Sequence, residues 1–281
     1  MTGQIPALNA RAVAAWAGAA ILVALQSDNP IYRGMVLAAA LAFVSRRRRP
    51  GARMRGLLAP LAGAVAITVI LNSLLSHNGD DVLWDLPGWL PGIGGTVTLE
   101  AVSFGLTIAA GLAAAVLAAS ALTLTVEVHD LIDALPSALA QVAAAVGGAL
   151  NLVPGIGRGL TAVREAQRMR GWRPRGPRSW SQVLVPAMLT SVESSVQLAE
   201  SMEARGFGSG PRTRYRPGAW RRIDVAVTAG AGLAAFLFLA GRHLGFAGDW
   251  YPFPTLSMPP ADPVALVACL LLFVPAVRWP R

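Results

Sequence analysis

Two octapeptides hold the side chains best placed to do chemistry at a surface: EAQRMRGW, residues 165–172, and ESMEARGF, residues 200–207. They start 35 residues apart and share one frame: Glu, four residues, then Arg, Gly and an aromatic. One arginine in the last turn of a helix, followed by a glycine that permits a left-handed cap, is ordinary helix chemistry. The same frame at the ends of two long helices points further. A planar guanidinium makes bidentate, charge-assisted bonds to carboxylates or carbonyls. Two matched arginine ends on one face suit a partner with two equivalent pockets, such as a dimer.

Other chemistries find little support. All 24 basic residues are arginine, so the phosphate loop GxxxxGK[ST] is excluded. PGIGRG, 154–159, lacks the preceding strand and following acid of a dinucleotide fold and reads as a loop between helices; PGIGG, 91–95, reads as an external turn. No HExxH occurs, and His77, His129 and His243 fall in three separate regions. Glu193, Glu200 and Glu203 read as solvated residues on a polar helix face. His77, Asn78, Asp80 and Asp81 read as a solvated loop rather than a metal site. Cys269 is the only cysteine and sits in an apolar run, which excludes disulfides and cysteine-based metal sites. The expectation is a chain with no catalytic residue, no metal ligand and no cofactor of its own.

The elements that position the arginines follow from hydropathy. Of 281 residues, 54% are hydrophobic and only 14% charged, against about a quarter charged in soluble domains. A spanning helix needs about 20 mostly apolar residues. Candidate spans are 8–26, 30–45, 56–76, 99–124, 223–246 and 261–278. The first two are the weakest, because Arg11 and Arg33 must snorkel and the second is short. The first span also has the outline of a secretory signal, but no small-x-small cleavage site precedes SDNP, and it reads as retained.

Arginines set the orientation. RRRRPGARMR, 46–55, and the 13 arginines from Arg158 to Arg222 belong inside. Only Arg33 and Arg242 fall outside, and both termini are then cytoplasmic. RRRR reads as a topology signal near anionic lipid, not as a nucleic-acid site. The uncharged stretch 134–157 is long enough to cross, yet parity forbids it: two spans already bring both arginine-rich segments to one face. It reads as a helix at the inner surface, apolar because another protein covers it.

The expected architecture is all-α and polytopic. A transmembrane region, 1–126, with about four spans precedes a cytoplasmic coupling-helix block, 127–222. A region with about two more spans, 223–281, follows. Within the block, one helix runs from Trp180 to Arg205. Val185, Met188, Val192, Val196, Ala199 and Met202 make its apolar stripe, with Glu193, Gln197, Glu200 and Glu203 opposite. A second helix runs from about Arg158 to Arg170.

The two arginine ends, in such a block between spans, resemble the transmembrane T component of energy-coupling factor (ECF) transporters, the EcfT/CbiQ family. That family carries two Ala-Arg-Gly signatures at the ends of two coupling helices. The second is intact here as Ala204-Arg205-Gly206. The first reads Met169-Arg170-Gly171, with a bulky Met in place of the small residue. The resemblance extends from LIDALP, 131–136, through both helices. It implies a non-enzymatic scaffold in a bacterial-type cytoplasmic membrane, joining two ATP-binding-cassette ATPases, as a homo- or heterodimer, to a small membrane-embedded S component that captures a vitamin or transition-metal ion such as cobalt or nickel. ATP would be bound by the ATPases alone. Arg170, Gly171, Ala204, Arg205 and Gly206 would dock the ATPases; Leu135, Leu139, Val142, Val146 and Leu150 would face the S component. The alternative is a self-contained permease or intramembrane enzyme with its site among the spans, disfavoured because Glu100 and Asp224 lie near span ends rather than in their middles.

Overall fold

The computed structural model describes residues 8–49, 54–76, 78–86, 95–174, 176–207, 209, 220–246 and 248–277. His77, Pro50 to Arg53 of the basic run, and all but Gly95 of the PGIGG turn lie outside them. The described residues form two compact units, one within Met1–Asp130 and Gly218–Arg281, the other within Leu131–Pro217.

In the first unit a helix forms at each of the six apolar segments: α1 (Ala10–Gln26), α2 (Pro30–Arg47), α3 (Met54–Leu75), α4 (Leu99–Thr125), and, in the C-terminal part, Arg222–His243 and Pro263–Leu271. A two-stranded antiparallel hairpin, β1 (Val82–Asp85) and β2 (Thr96–Thr98), joins α3 to α4. The chain is an all-α membrane protein, and α3, α4 and Arg222–His243 are each long and apolar enough to cross a bilayer.

The two segments whose sequence signal is weakest form the centre of the unit. SDNP is a tight connector: Asn29 caps α2 by accepting the N–H of Ile31 at 2.9 Å, and Pro30 occupies the first helical position. Trp16 and Phe43 are fully buried and stacked at 4.2 Å between α1 and α2. Alanines 12, 17, 20, 24, 39 and 40 are buried around them, and small side chains let the helices approach closely. The weak hydropathy of α2 comes from Arg33, Arg46 and Arg47, and each finds a partner. Arg33 does not simply reach outward. It pairs with Asp28 at 3.2 Å and donates to the Thr107 carbonyl of α4, with Gly111 leaving room for it.

Beside this centre, α3 packs on α4, with only 6% of its apolar window buried. The crossing is close: a Cβ on Gly105 would lie 3.1–3.3 Å from Asn72 and Val69.

The expected last span, 261–278, is not one long helix. Pro263–Leu271 has nine residues and passes into a 3-10 turn, Val274–Ala276. It still runs beside the whole of α2. Asn29 donates to the Pro260 carbonyl at 2.7 Å, and Asp262 N–H donates to the Tyr32 hydroxyl at 2.8 Å. At the far end Arg47 donates to the Pro275 carbonyl at 2.8 Å and Arg46 to that of Ala276.

These contacts define two ends of the unit. One gathers Asn9, Arg46 to Arg49, Leu124 to Glu127, Arg221 and Asp224. The other gathers Arg33, Arg242, Asp28, Asp249, the β hairpin and Glu100. Arg33 and Arg242, the two arginines at that second end, both pair with Asp28, and Arg242 also pairs with Asp249.

The second unit begins within a short helix, α5 (Val128–Asp133), and holds two long helices, α6 (Ala140–Met169) and α7 (Ser181–Ala204); Arg222–His243 and Pro263–Leu271 are then α8 and α9. Residues 134–157 and 158–170 were expected as separate segments broken by a PGIGRG loop. Instead Ala140 to Met169 is a single helix of 30 residues with Pro154 inside it. A proline in a helix interior removes one hydrogen bond and kinks the helix, but it does not force a loop. At about 1.5 Å per residue α6 is about 45 Å long.

α7 packs on α6, and its buried Val183 and Ala187 with half-buried Ser191 and Leu198 mark a face other than the apolar stripe read from its sequence. Val185, Met188, Val192 and Val196 face away and are exposed, Met188 at 67%. Glu203, expected opposite them, falls five whole turns after Val185, on the same line.

Candidate docking ends of the long helices

Both octapeptides close their helices in the same way. At the end of α6, Gly171 takes φ +85°, its N–H donates to the Arg168 carbonyl at 3.0 Å, and Trp172 N–H reaches back to that of Gln167 at 2.9 Å. At the end of α7, Gly206 takes φ +73°, its N–H donates to the Glu203 carbonyl at 2.9 Å, and Phe207 N–H reaches that of Met202 at 3.0 Å. Each is a complete Schellman motif, with its paired 5→2 and 6→1 bonds. The repeated frame therefore encodes a repeated shape. Only the glycine adopts the left-handed backbone without strain, and each arginine becomes the C-cap.

Among the described residues neither the Arg170 nor the Arg205 guanidinium has a hydrogen-bond or ion-pair partner, and both residues are exposed. Ala204 and Gly206 beside Arg205 are exposed too. Met169, which replaces the small residue at the first end, is 86% exposed.

The aromatics after the glycines differ. Trp172 is buried, donates to the Ser179 carbonyl at 2.9 Å and meets Trp180 edge-on at 5.7 Å. Arg164 lies over the Trp180 ring at 5.6 Å. Phe207 is exposed. The tryptophan pair fixes the turn between the long helices, and Gln167 of α6 donates to the Gln182 carbonyl of α7 at 3.2 Å. Arg170 therefore sits near the start of α7, and Arg205 lies one length of α7 away, about 35 Å.

The expected S-component-facing residues lie on the other half of α6 and just before it. Val142 and Val146 are 52% and 42% exposed, Leu139 is exposed, and Leu135 and Leu150 are half-buried. With the outward face of α7, Leu139, Val142 and Val146 give the second unit exposed apolar side chains along two helices among the described residues.

The sequence profile of the CbiQ family, described as cobalt transport protein, matches residues 4–215. The chain belongs to this family. It is also similar to the energy-coupling factor transporter transmembrane protein EcfT of Bacillus selenitireducens, 29% identical over 198 residues, which cover 64% of this chain and 71% of that one. EcfT of Lactobacillus helveticus is 32% identical over 113 residues, covering 38% and 39% of the two chains. The CbiQ match takes in α1 to α7 with both octapeptides, while α8 and α9 lie beyond it.

Two buried carboxylates in this CbiQ-family chain escaped the sequence reading, which placed them only near helix ends. Glu100 is fully buried in the first turn of α4 and accepts the N–H groups of Asp80 and Asp81 at 3.3 and 3.2 Å. Asp224, 1% exposed, accepts Asn9 N–H at 2.8 Å and Arg221 N–H at 3.0 Å. Both tie loops to helix starts. Among the described residues no group of three or more His, Cys, Asp or Glu is placed to hold a metal ion.

Proposed function

We propose that this chain is the transmembrane coupling subunit of an ECF-type importer in a bacterial cytoplasmic membrane. The observation that carries the reading is the pair of helix ends closed by the same Schellman cap, each presenting an exposed arginine. Arg170 and Arg205 each enter a groove on one of two ATP-binding-cassette ATPases, which bind the ATP. The end of the first unit that gathers Arg46 to Arg49 faces the cytoplasm, with residues 127–222 as the coupling region. The face around Leu135, Leu139, Val142, Val146 and Leu150 holds a small membrane-embedded S component. The names of the relatives support the complex, and the family description supports a transition metal such as cobalt or nickel as cargo, with a vitamin as the other class. Cargo choice belongs to the S component.

Coupling requires that ATPase closure favour one arrangement of the helices over another. Closure shifts two pockets about 35 Å apart. Since Arg170 is tied by the Trp172–Trp180 turn to the start of α7 and Arg205 ends it, α7 holds the two docking ends nearly a fixed length apart. A shift of the pockets therefore swings α7 as one rod, which the S component feels along the apolar faces of α6 and α7. The reading predicts that Arg205→Glu abolishes ATPase co-purification, with Arg170→Glu milder because Met169 replaces the small residue on its flank. Retention of both ATPases by the double variant refutes it.

A further inference from the structure

The arginine run at the end of α2 does more than set topology. Residues 131–217 join the first unit by two chain crossings, one after α4 and one before α8. Each crossing is held at its root. At the exit, Arg49 donates its backbone N–H to the Leu124 carbonyl at 3.0 Å and a guanidinium N–H to that of Val126 at 3.4 Å, and it pairs with the Glu127 carboxylate. At the return, buried Asp224 accepts the N–H of Arg221, the residue before α8, and that of Asn9, the residue before α1. Arg47, two residues from Arg49 on the same helix end, lies within electrostatic reach of Asp224. Both roots thus meet the arginine-bearing end of one post, α2, whose Tyr32, Val36, Ala39, Ala40, Phe43 and Val44 are buried.

We infer that Arg49, with Glu127, and Asp224 are positioning residues that clamp both chain crossings to the α1–α2 centre. Movement of the coupling helices then reaches the spans instead of being absorbed in slack connectors. The inference rests on the coupling reading given above. A half-exposed ion pair such as Arg49–Glu127 adds little to folding stability, so its loss loosens the crossing without unfolding the chain. Asp224 is buried and holds two backbone donors, so its loss weighs more.

The test measures the distance between the two roots. Spin labels go on Val128→Cys and Trp220→Cys, both exposed positions flanking the crossings, in a Cys269→Ala background. The full chain is examined in nanodiscs, alone and with its ATPases, with and without Mg-ATP and vanadate. Expected is one narrow distance that nucleotide does not change. Arg49→Ala raises the share of wider separations severalfold. Asp224→Asn raises it about tenfold, the shift that accompanies loss of one charge-assisted hydrogen bond. Arg49→Glu combined with Glu127→Arg restores the narrow distance, which loss of packing alone does not allow. A broad distance in the parent chain, no broadening in either variant, or no rescue by the exchanged pair overturns the inference. These widths are read without ATPases as well. A failure of clamping is therefore distinct from a failure of ATPase docking, which shows in co-purification.

Discussion

Replacing Gly206 and Gly171 by alanine separates the role of the cap from that of the arginine. Each glycine sits at positive φ, +73° and +85°, a conformation that costs a residue with a Cβ about 1–2 kcal/mol. At Gly171 an added Cβ meets nothing within 4 Å, so backbone strain is the whole effect. At Gly206 it meets only the Ser209 hydroxyl at 3.1 Å, which can rotate away. The two substitutions therefore carry nearly equal penalties. If ATPase pockets recognise the capped end, each weakens binding by the population lost from the cap, about 5- to 30-fold. The sites are about 35 Å apart, so the effects on cap formation are independent and add in free energy. The assay titrates purified ATPase dimer onto the nanodisc-embedded chain, with thermal melting measured beside it. Asn in place of Gly171 weakens binding less than Ala, because Asn tolerates the left-handed region. Binding unchanged by both alanines together, while Arg205→Ala abolishes it, refutes the claim that the cap geometry is what the ATPases read.

Other perturbations probe the rest of the chain. Trp16→Ala removes the stacked ring and its bond to the Leu272 carbonyl (2.8 Å), and costs about 3–5 kcal/mol, seen as a large drop in melting temperature in detergent. Gly105→Val drives a side chain into Val69 and Asn72 of α3; it costs about 1–3 kcal/mol, and accelerated proteolysis of the α3–α4 region reports the separation. Val146→Glu places a charge on the exposed face of α6 and releases the S component while the ATPases stay bound; equal loss of both partners in a pull-down contradicts that division.

Much of this was legible before any coordinates. Long apolar runs marked α3, α4 and α8, and the glycine-ended octapeptides marked both candidate docking ends, because a Schellman cap is written in consecutive residues. What stayed hidden depends on partners distant in sequence. The centrality of α1 and α2 rests on Trp16 meeting Phe43 and on arginines that find carbonyls more than 200 residues away, so hydropathy alone ranked them lowest. The stripe on α7 was visible, but periodicity does not say what covers it, and α6 packs on another face. Pro154 and three nearby glycines suggested a break in α6 where only one rung of the hydrogen-bond ladder is lost. Buried Glu100 and Asp224 looked like ordinary first-turn acids, since nothing local distinguishes them from solvated ones.

That missing rung has a mechanical meaning. A strut that lacks one internal tie still carries thrust along its axis through its continuous backbone, yet it flexes sideways more readily at that point. Pro154 divides α6 into an uncharged half and a half that ends in Arg170. A pull across the tip therefore swings the distal half first, whereas a push along it is felt at both ends together.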